Sequence, residues 1–218
     1  PIFQAEDGIR DTRTCLVGSE MCIRDRGKAV GVMMPVLLLM TAYLAGSVNF
    51  SILVFKLAKK GDPRDSHSGN PGMTNVYRQS GFLMAAVVLL LDMGRALAVA
   101  ILATEALSCN WVPWVGFSLI VGNRYPCFHG FKGGKGVANY LGFTLYLAPY
   151  AVLWSALAWL LCFACFRIPF IGSFVMVVIL AGATVAYCGY QFWCCVGSVL
   201  TVLFIIYAHR QNIRELLQ

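Results

Sequence analysis

From Val36 onward the chain is a succession of apolar stretches, most of them about 18 to 25 residues long, and each of these is long enough to cross about 30 Å of hydrocarbon as a helix. In lipid a helix satisfies its own backbone, so the stretches predict helical elements near 34–57, 82–107, 111–128, 136–148, 149–166, 168–189 and 191–208. The fourth is short for a crossing by itself. Composition agrees: 59% of residues are hydrophobic and 12% charged, where a soluble domain needs roughly twice that charge. The expectation is an all-α polytopic integral membrane protein with about seven transmembrane helices.

Charge sets the orientation. Lys56, Lys59, Lys60, Arg64 and Arg78 flank the first loop, Arg124, Lys132 and Lys135 fill the loop after the third element, Arg167 follows the fifth, and His209, Arg210 and Arg214 end the chain. The turns near 104–110, 149 and 189–191 hold no Lys or Arg. The two sets alternate, and the positive-inside rule then puts the N-terminus outside, the C-terminus in the cytoplasm and the basic loops on the cytoplasmic face. Trp111 and Trp114 suit the outer interfacial belt.

Residues 1–28 differ in kind, with balanced charges, while the body carries the whole formal excess of +7. Residues 1–26 resemble the translated sequencing-adaptor read-through that contaminates some assembled genomes, and 1–28 is expected to be a non-native or disordered tail. No signal peptide is expected. Residues 29–218 then form a single membrane-embedded domain. Of nine cysteines, two lie in the tail and most of the rest in apolar stretches, which predicts no disulfide framework. Cys162 and Cys165 read as helix packing, and no metal site is expected.

Three polar segments carry candidate chemistry. The first, 68–78, holds Ser68, Gly69, Asn70, Gly72, Asn75 and Arg78. Its glycines let backbone N–H groups converge on an anion, and Arg78 offers a fork of donors matched to phosphate. The second, 131–136, packs Lys132, Gly133, Gly134, Lys135 and Gly136 together just after a membrane element. It is not a Walker loop, which needs a glycine where His129 stands and a hydroxyl residue where Gly136 stands. The third places His209 and Asn212 at i, i+3 beyond the last span. Asp92 and Arg95, also i, i+3, lie inside the second element, where a mutual ion pair is the simplest expectation and a bracing role behind the site the alternative. All three segments fall on one face under a topology derived from charge alone.

With these residues assembled, the chain resembles the bacterial acyl-phosphate-dependent glycerol-3-phosphate acyltransferases of the PlsY family. The resemblance runs from about Tyr43 to the C-terminus and rests on 43–47 (YLAGS), 68–75 (SGNPGMTN) with Arg78, 90–92 (LLD), Gly122 with Pro126, 131–138 (FKGGKGVA) and 209–214 (HRQNIR). It implies a seven-helix enzyme of the bacterial inner membrane, with its site facing the cytoplasm. The implied reaction moves an acyl group from acyl phosphate to the 1-hydroxyl of glycerol 3-phosphate, giving lysophosphatidic acid and phosphate. It also implies that Ser68, Arg78, Lys135, His209 and Asn212 line the substrate site, and it implies no cofactor, no nucleic acid and no obligate protein partner beside membrane lipid. The glycines 69, 72, 133, 134 and 136 are expected to give backbone donors to the acyl phosphate and the developing oxyanion.

Two departures from the family pattern stand out: Asn123 follows Gly122 where the family has His, and Arg95-Ala96 replaces Lys-Gly. The family also continues past its last motif to a Gly-x-Glu, so the chain is expected to be truncated, with Glu215 out of register. Other readings fit less well. The fifth residue after His67, His129 and His209 is Gly72, Gly134 and Arg214, so the H-x-x-x-x-D of acyl-CoA or acyl-carrier-protein enzymes is missing. A CDP-alcohol phosphotransferase needs several aspartates along one helix. An anion transporter predicts broken helices near mid-membrane, whereas the glycine motifs here lie at the membrane edge.

Overall fold

The structure, a computed structural model, describes residues 31–218, so the expectation for the tail lies outside the described residues. Among these there are nine α-helices, two 3-10 turns and no strand. The first apolar run forms α1 (Met33–Ser47) and α2 (Phe50–Leu57) rather than one rod. The break has a local cause: Val48 is extended, and the Asn49 Oδ1 accepts the Ile52 N–H at 3.2 Å as a helix N-cap. A 3-10 turn at Pro63–Asp65 follows, then α3 (Met73–Ala106), kinked at Gly81, whose φ of 79° no other residue adopts readily.

Next come α4 (Val112–Arg124), a 3-10 turn at Cys127–His129, α5 (Val137–Leu147), α6 (Pro149–Phe166) and α7 (Pro169–Tyr187). The chain ends with α8 (Phe192–Ala208) and α9 (Arg210–Leu216), bent 52° from α8. Four segments are long and apolar enough to cross a membrane: α1 with α2, α3, α6 and α7. Counting the bent α8–α9 pair makes five. All seven apolar stretches are therefore helical, but two of them are short. At about 1.5 Å per residue, the 13 residues of α4 and 11 of α5 reach only about 20 and 17 Å.

Those two short helices form the centre of the bundle. Leu119, Ile120 and Phe143 are fully buried, packed with Ala42, Ala96 and Val115 on one side and with Val177, Leu180 and Ile205 on the other. Small residues let the backbones meet: a Cβ added at Gly46 of α1 or Gly122 of α4 would lie 2.1 Å from the carbonyl oxygen of Leu119 or Tyr43, respectively. Large apolar side chains such as Leu90, Leu153, Trp154, Val178 and Leu203 are exposed around the outside, the inverse of a soluble protein and the surface a lipid solvent requires.

Candidate active site

A cavity of about 360 Å³ opens where the N-terminal ends of α3, α5 and α7 meet the C-terminal end of α8. Its polar lining includes Ser68, Asn70, Asn75, Arg78, Asp92, Lys135, His209 and Asn212. Its apolar lining includes Leu141 of α5, Ala156, Trp159 and Leu160 of α6, and Phe170 and Met176 of α7. The three polar segments read from the sequence thus meet in one place.

Loop one is held by its own side chains. Buried Asn75 donates from Nδ2 to the carbonyls of Pro63 (2.8 Å) and Ser66 (3.2 Å) and accepts the Ser68 N–H at 3.4 Å. Its amide is fully committed, so Asn75 shapes the loop that presents Ser68 instead of offering donors to a ligand. Arg64, paired with Asp62 at 2.6 Å, reaches across to the carbonyls of His129 (2.8 Å) and Lys132 (3.1 Å) and ties loop one to the second segment.

The second segment corrects the sequence expectation. The Gly133 and Gly134 N–H groups donate to the carbonyls of Arg124 (3.1 Å) and Asn123 (2.9 Å), closing the C-terminal end of α4. They are spent and cannot serve an anion. Their glycine identity has another cause: a Cβ on Gly133 would meet the Asn123 carbonyl at 2.1 Å. Gly69 likewise donates to the Ser66 carbonyl (3.2 Å) and Gly72 to that of Asn70 (2.9 Å). Lys132 is exposed and, with Gly69, Gly133 and Arg95, stands outside the cavity lining.

The free backbone donors come from the helices that follow the glycines. Gly72 is the N-cap of α3 and Gly136, in the left-handed region at φ 87°, is the N-cap of α5. The first N–H groups of a helix have no carbonyl one turn earlier, and the helix dipole makes that end positive. Met73 and Thr74 of α3, and Val137 and Ala138 of α5, occupy these positions and line the cavity. Side-chain motif reading missed them because the backbone, not the side chain, carries the donor; the available signal was a glycine placed directly before each helix.

Lys135 and His209 complete the polar lining. The Lys135 Nζ donates to the Asn212 Oδ1, joining the second segment to the third. Burial, reinforced by nearby Arg124, pushes its pKa down to about 8. His209 sits at the bend between α8 and α9, 3% exposed and edge-on to Phe174. Its Nδ1 lies 2.8 Å from the Ile205 carbonyl, which can only accept, so Nδ1 carries the proton and Nε2 of the neutral ring is an acceptor. Burial holds its pKa down at about 4, opposed by that hydrogen bond and aided by Lys135 and Arg124.

Behind the cavity, Asp92 and Arg95 form the expected ion pair, at 2.8 Å. Arg95 also donates to the carbonyls of Ala45 (3.0 Å) and Val48 and to Asn139 Oδ1, so it caps the C-terminal end of α1 and links it to α3 and α5. It is a brace at the α1–α2 break, while Asp92 reaches the cavity wall. Glu215 accepts from Gln211 at 3.1 Å and is not part of the cavity lining.

Comparison with known proteins bears on this geometry. Residues 36–218 match the family described as glycerol-3-phosphate acyltransferase. A glycerol-3-phosphate acyltransferase of Pseudomonas paraeruginosa is 40% identical over 185 residues, which is 83% of this chain and 94% of the relative. One from Neisseria meningitidis serogroup C is 35% identical, over 81% and 90% of the two chains. Among solved structures, the integral membrane glycerol 3-phosphate acyltransferase PlsY in its glycerol 3-phosphate form superposes with a TM-score of 0.77 at 34% identity, over 84% of this chain and 92% of that one. The lysophosphatidic acid form of PlsY gives 0.74 at 33% identity, over 84% and 91%. An all-helical membrane bundle whose polar motifs meet in one cavity, matched over nearly its whole described length, belongs to the glycerol-3-phosphate acyltransferase family.

Proposed function

We propose that this chain transfers an acyl group from acyl phosphate to the 1-hydroxyl of glycerol 3-phosphate, forming lysophosphatidic acid and inorganic phosphate. The observation that carries the reading is one cavity lined by two helix N-termini, Lys135 and Arg78 together with apolar side chains of α5, α6 and α7. Two anionic groups and one hydrocarbon chain must be held together for this reaction, and the cavity offers two positive helix ends and a place for the chain along Leu141, Trp159, Phe170 and Met176.

In this reading the phosphates lie against the N-termini of α3 and α5, with Arg78 and Lys135 neutralising them. Ser68, Asn212 and the acceptor Nε2 of His209 orient glycerol 3-phosphate. The 1-hydroxyl oxygen attacks the acyl carbonyl, the bond from that carbon to the phosphate oxygen breaks, and phosphate leaves. An acyl phosphate is already activated, so positioning suffices and no covalent enzyme intermediate is required. With its proton on Nδ1, His209 serves as a hydrogen-bond acceptor that orients the hydroxyl. The hydroxyl proton passes to a phosphate oxygen of the bound substrates, whose second ionisation lies near 6. The test supplies radiolabelled glycerol 3-phosphate with palmitoyl phosphate or with palmitoyl-CoA. Labelled lysophosphatidic acid from palmitoyl phosphate alone is expected; product only from palmitoyl-CoA overturns the donor, and product from neither overturns the acyltransferase reading.

We also propose that the cavity faces the cytoplasm of a bacterial inner membrane, with the chain crossing an odd number of times. What supports this is the placement of Lys56, Lys59, Lys60, Arg124, Lys132 and Arg210 at the cavity end of the helices. A membrane-impermeant maleimide added to intact spheroplasts is expected to label Tyr190→Cys, an exposed position in the α7–α8 turn, and to spare His67→Cys, exposed in loop one, until the membrane is opened. The reverse pattern overturns the orientation.

A further inference from the structure

At the end of the bundle away from the cavity, three thiols meet. Cys109 lies between α3 and α4, Cys188 caps the C-terminus of α7, and Cys194 lies in the first turn of α8. The Cys188 Sγ donates to the Cys109 carbonyl at 3.3 Å, which places its thiol directly against Cys109. The Cys194 Sγ is turned toward the Thr184 carbonyl, 3.7 Å away. Cys188 and Cys194 are buried, whereas Cys109 is partly exposed.

The remoteness from the cavity follows from the helices. α3 begins at the cavity and ends just before Cys109, α7 begins there with Pro169 and ends at Cys188, and α8 runs back from the cysteines to His209. The 19 residues of α7 rise about 28 Å, close to the thickness of a hydrocarbon core. Neither 104–110 nor 188–191 holds a Lys or Arg. With the orientation proposed above, on which this compartment assignment rests, the cluster lies on the outer face, where thiols are exposed to oxidants.

The geometry points to Cys109 and Cys188 as a disulfide-forming pair, oxidised by thiol–disulfide exchange with a disulfide donor on the outer face. Cys109, the accessible member, attacks one sulfur of the donor as thiolate, forming a mixed disulfide and releasing one donor thiol. The Cys188 thiolate then attacks the Cys109 sulfur, and the second donor thiol leaves. The two protein thiols lose two electrons and two protons, and the donor disulfide is reduced to two thiols. Cys194 is the less suitable partner because its Sγ is turned toward the Thr184 carbonyl, whereas the Cys188 Sγ lies against Cys109. The bridge joins positions 79 residues apart, tying the α3–α4 turn to the α7–α8 turn, and leaves the cavity untouched.

The test treats the full chain with oxidised glutathione, in intact spheroplasts and separately in detergent, followed by acid quench, alkylation and peptide mass spectrometry. Expected in both arms is a Cys109–Cys188 linked peptide and two fewer alkylated thiols per chain, lost again in Cys109→Ser but kept in Cys162→Ser. No linked peptide in either arm overturns the pair, even where acyl transfer is intact. A Cys188–Cys194 link instead overturns the assignment to Cys109. A link in detergent only overturns the outer-face site and the orientation with it, while leaving the acyl-transfer assay to be judged separately.

Discussion

Lys135→Ala is expected to lower kcat/KM for glycerol 3-phosphate by about 10²–10³-fold, the loss typical of removing one preorganised donor from a charged transition state. Burial already strips the ammonium of much of its water and pushes its pKa down to about 8, and a bound phosphate returns what burial removed. Removing it costs the fold little, because an incompletely compensated buried cation does not stabilise the empty protein. Arg78→Ala is expected to have an effect of the same order on turnover, and Lys132→Ala, exposed and outside the cavity, to stay within about threefold of the parent. The sign of the pH dependence follows: the cation exists below its pKa, so kcat/KM falls as pH rises through about 8. Lys135→Arg keeps its charge through that range and is expected to remove the alkaline limb. His209, held near 4, contributes no limb near 6.5. Steady-state assays from pH 5 to pH 10 check all of this, and near-normal turnover in Lys135→Ala would remove that residue from the site.

The helices were legible because lipid demands continuous apolar sequence, and each predicted stretch is helical. Their ends were less so. α3 begins at Met73, well before 82, because Thr74, Asn75, Arg78 and Gln79 belong to a helical turn beyond the apolar zone, where hydropathy carries no signal. The α1–α2 break was written only in Asn49, a good N-cap inside an apolar run. α4 and α5 read like spans because hydropathy does not distinguish a side chain facing lipid from one packed in the bundle, as Leu119 and Phe143 are.

Around the cavity, Ser68, Arg78, Lys135, His209 and Asn212 were legible as polar members of three loop segments, and the family resemblance singled them out. The assignment of donors was not. A glycine-rich segment says only that backbone comes close to something, and here the something is the end of α4 for Gly133 and Gly134. The helix N-terminal N–H groups at the cavity belong to Met73, Thr74, Val137 and Ala138, whose side chains carry no motif. Trp159 and Phe170 were equally hidden among aromatics on lipid-facing helices. Their place is fixed by the Trp159 indole N–H, which donates to the Pro169 carbonyl at 3.1 Å.

The largest expected loss of stability comes from a methyl group far smaller than any of these side chains. Gly122→Ala would place its Cβ 2.1 Å from the Tyr43 carbonyl oxygen, and the reciprocal Gly46 contact leaves α1 no direction in which to yield without parting from α4. Backbone atoms cannot rotate away as a side chain can, so the cost lies at or above the upper end of the 1–3 kcal/mol usual for overpacking, or roughly 5–10 °C in unfolding midpoint. Gly94→Ala, with nothing within 4 Å of its Cβ, is the matched control and is expected to gain about 0.5–1 kcal/mol from helix propensity. Activity should fall alongside stability in Gly122→Ala. The Asn123 and Arg124 carbonyls that hold Gly134 and Gly133 move with α4, and Lys135 is the next residue along. Thermal unfolding of the two variants in the same detergent separates the cases: a Gly122→Ala midpoint equal to that of Gly94→Ala would mean that α1 and α4 do not meet backbone to backbone.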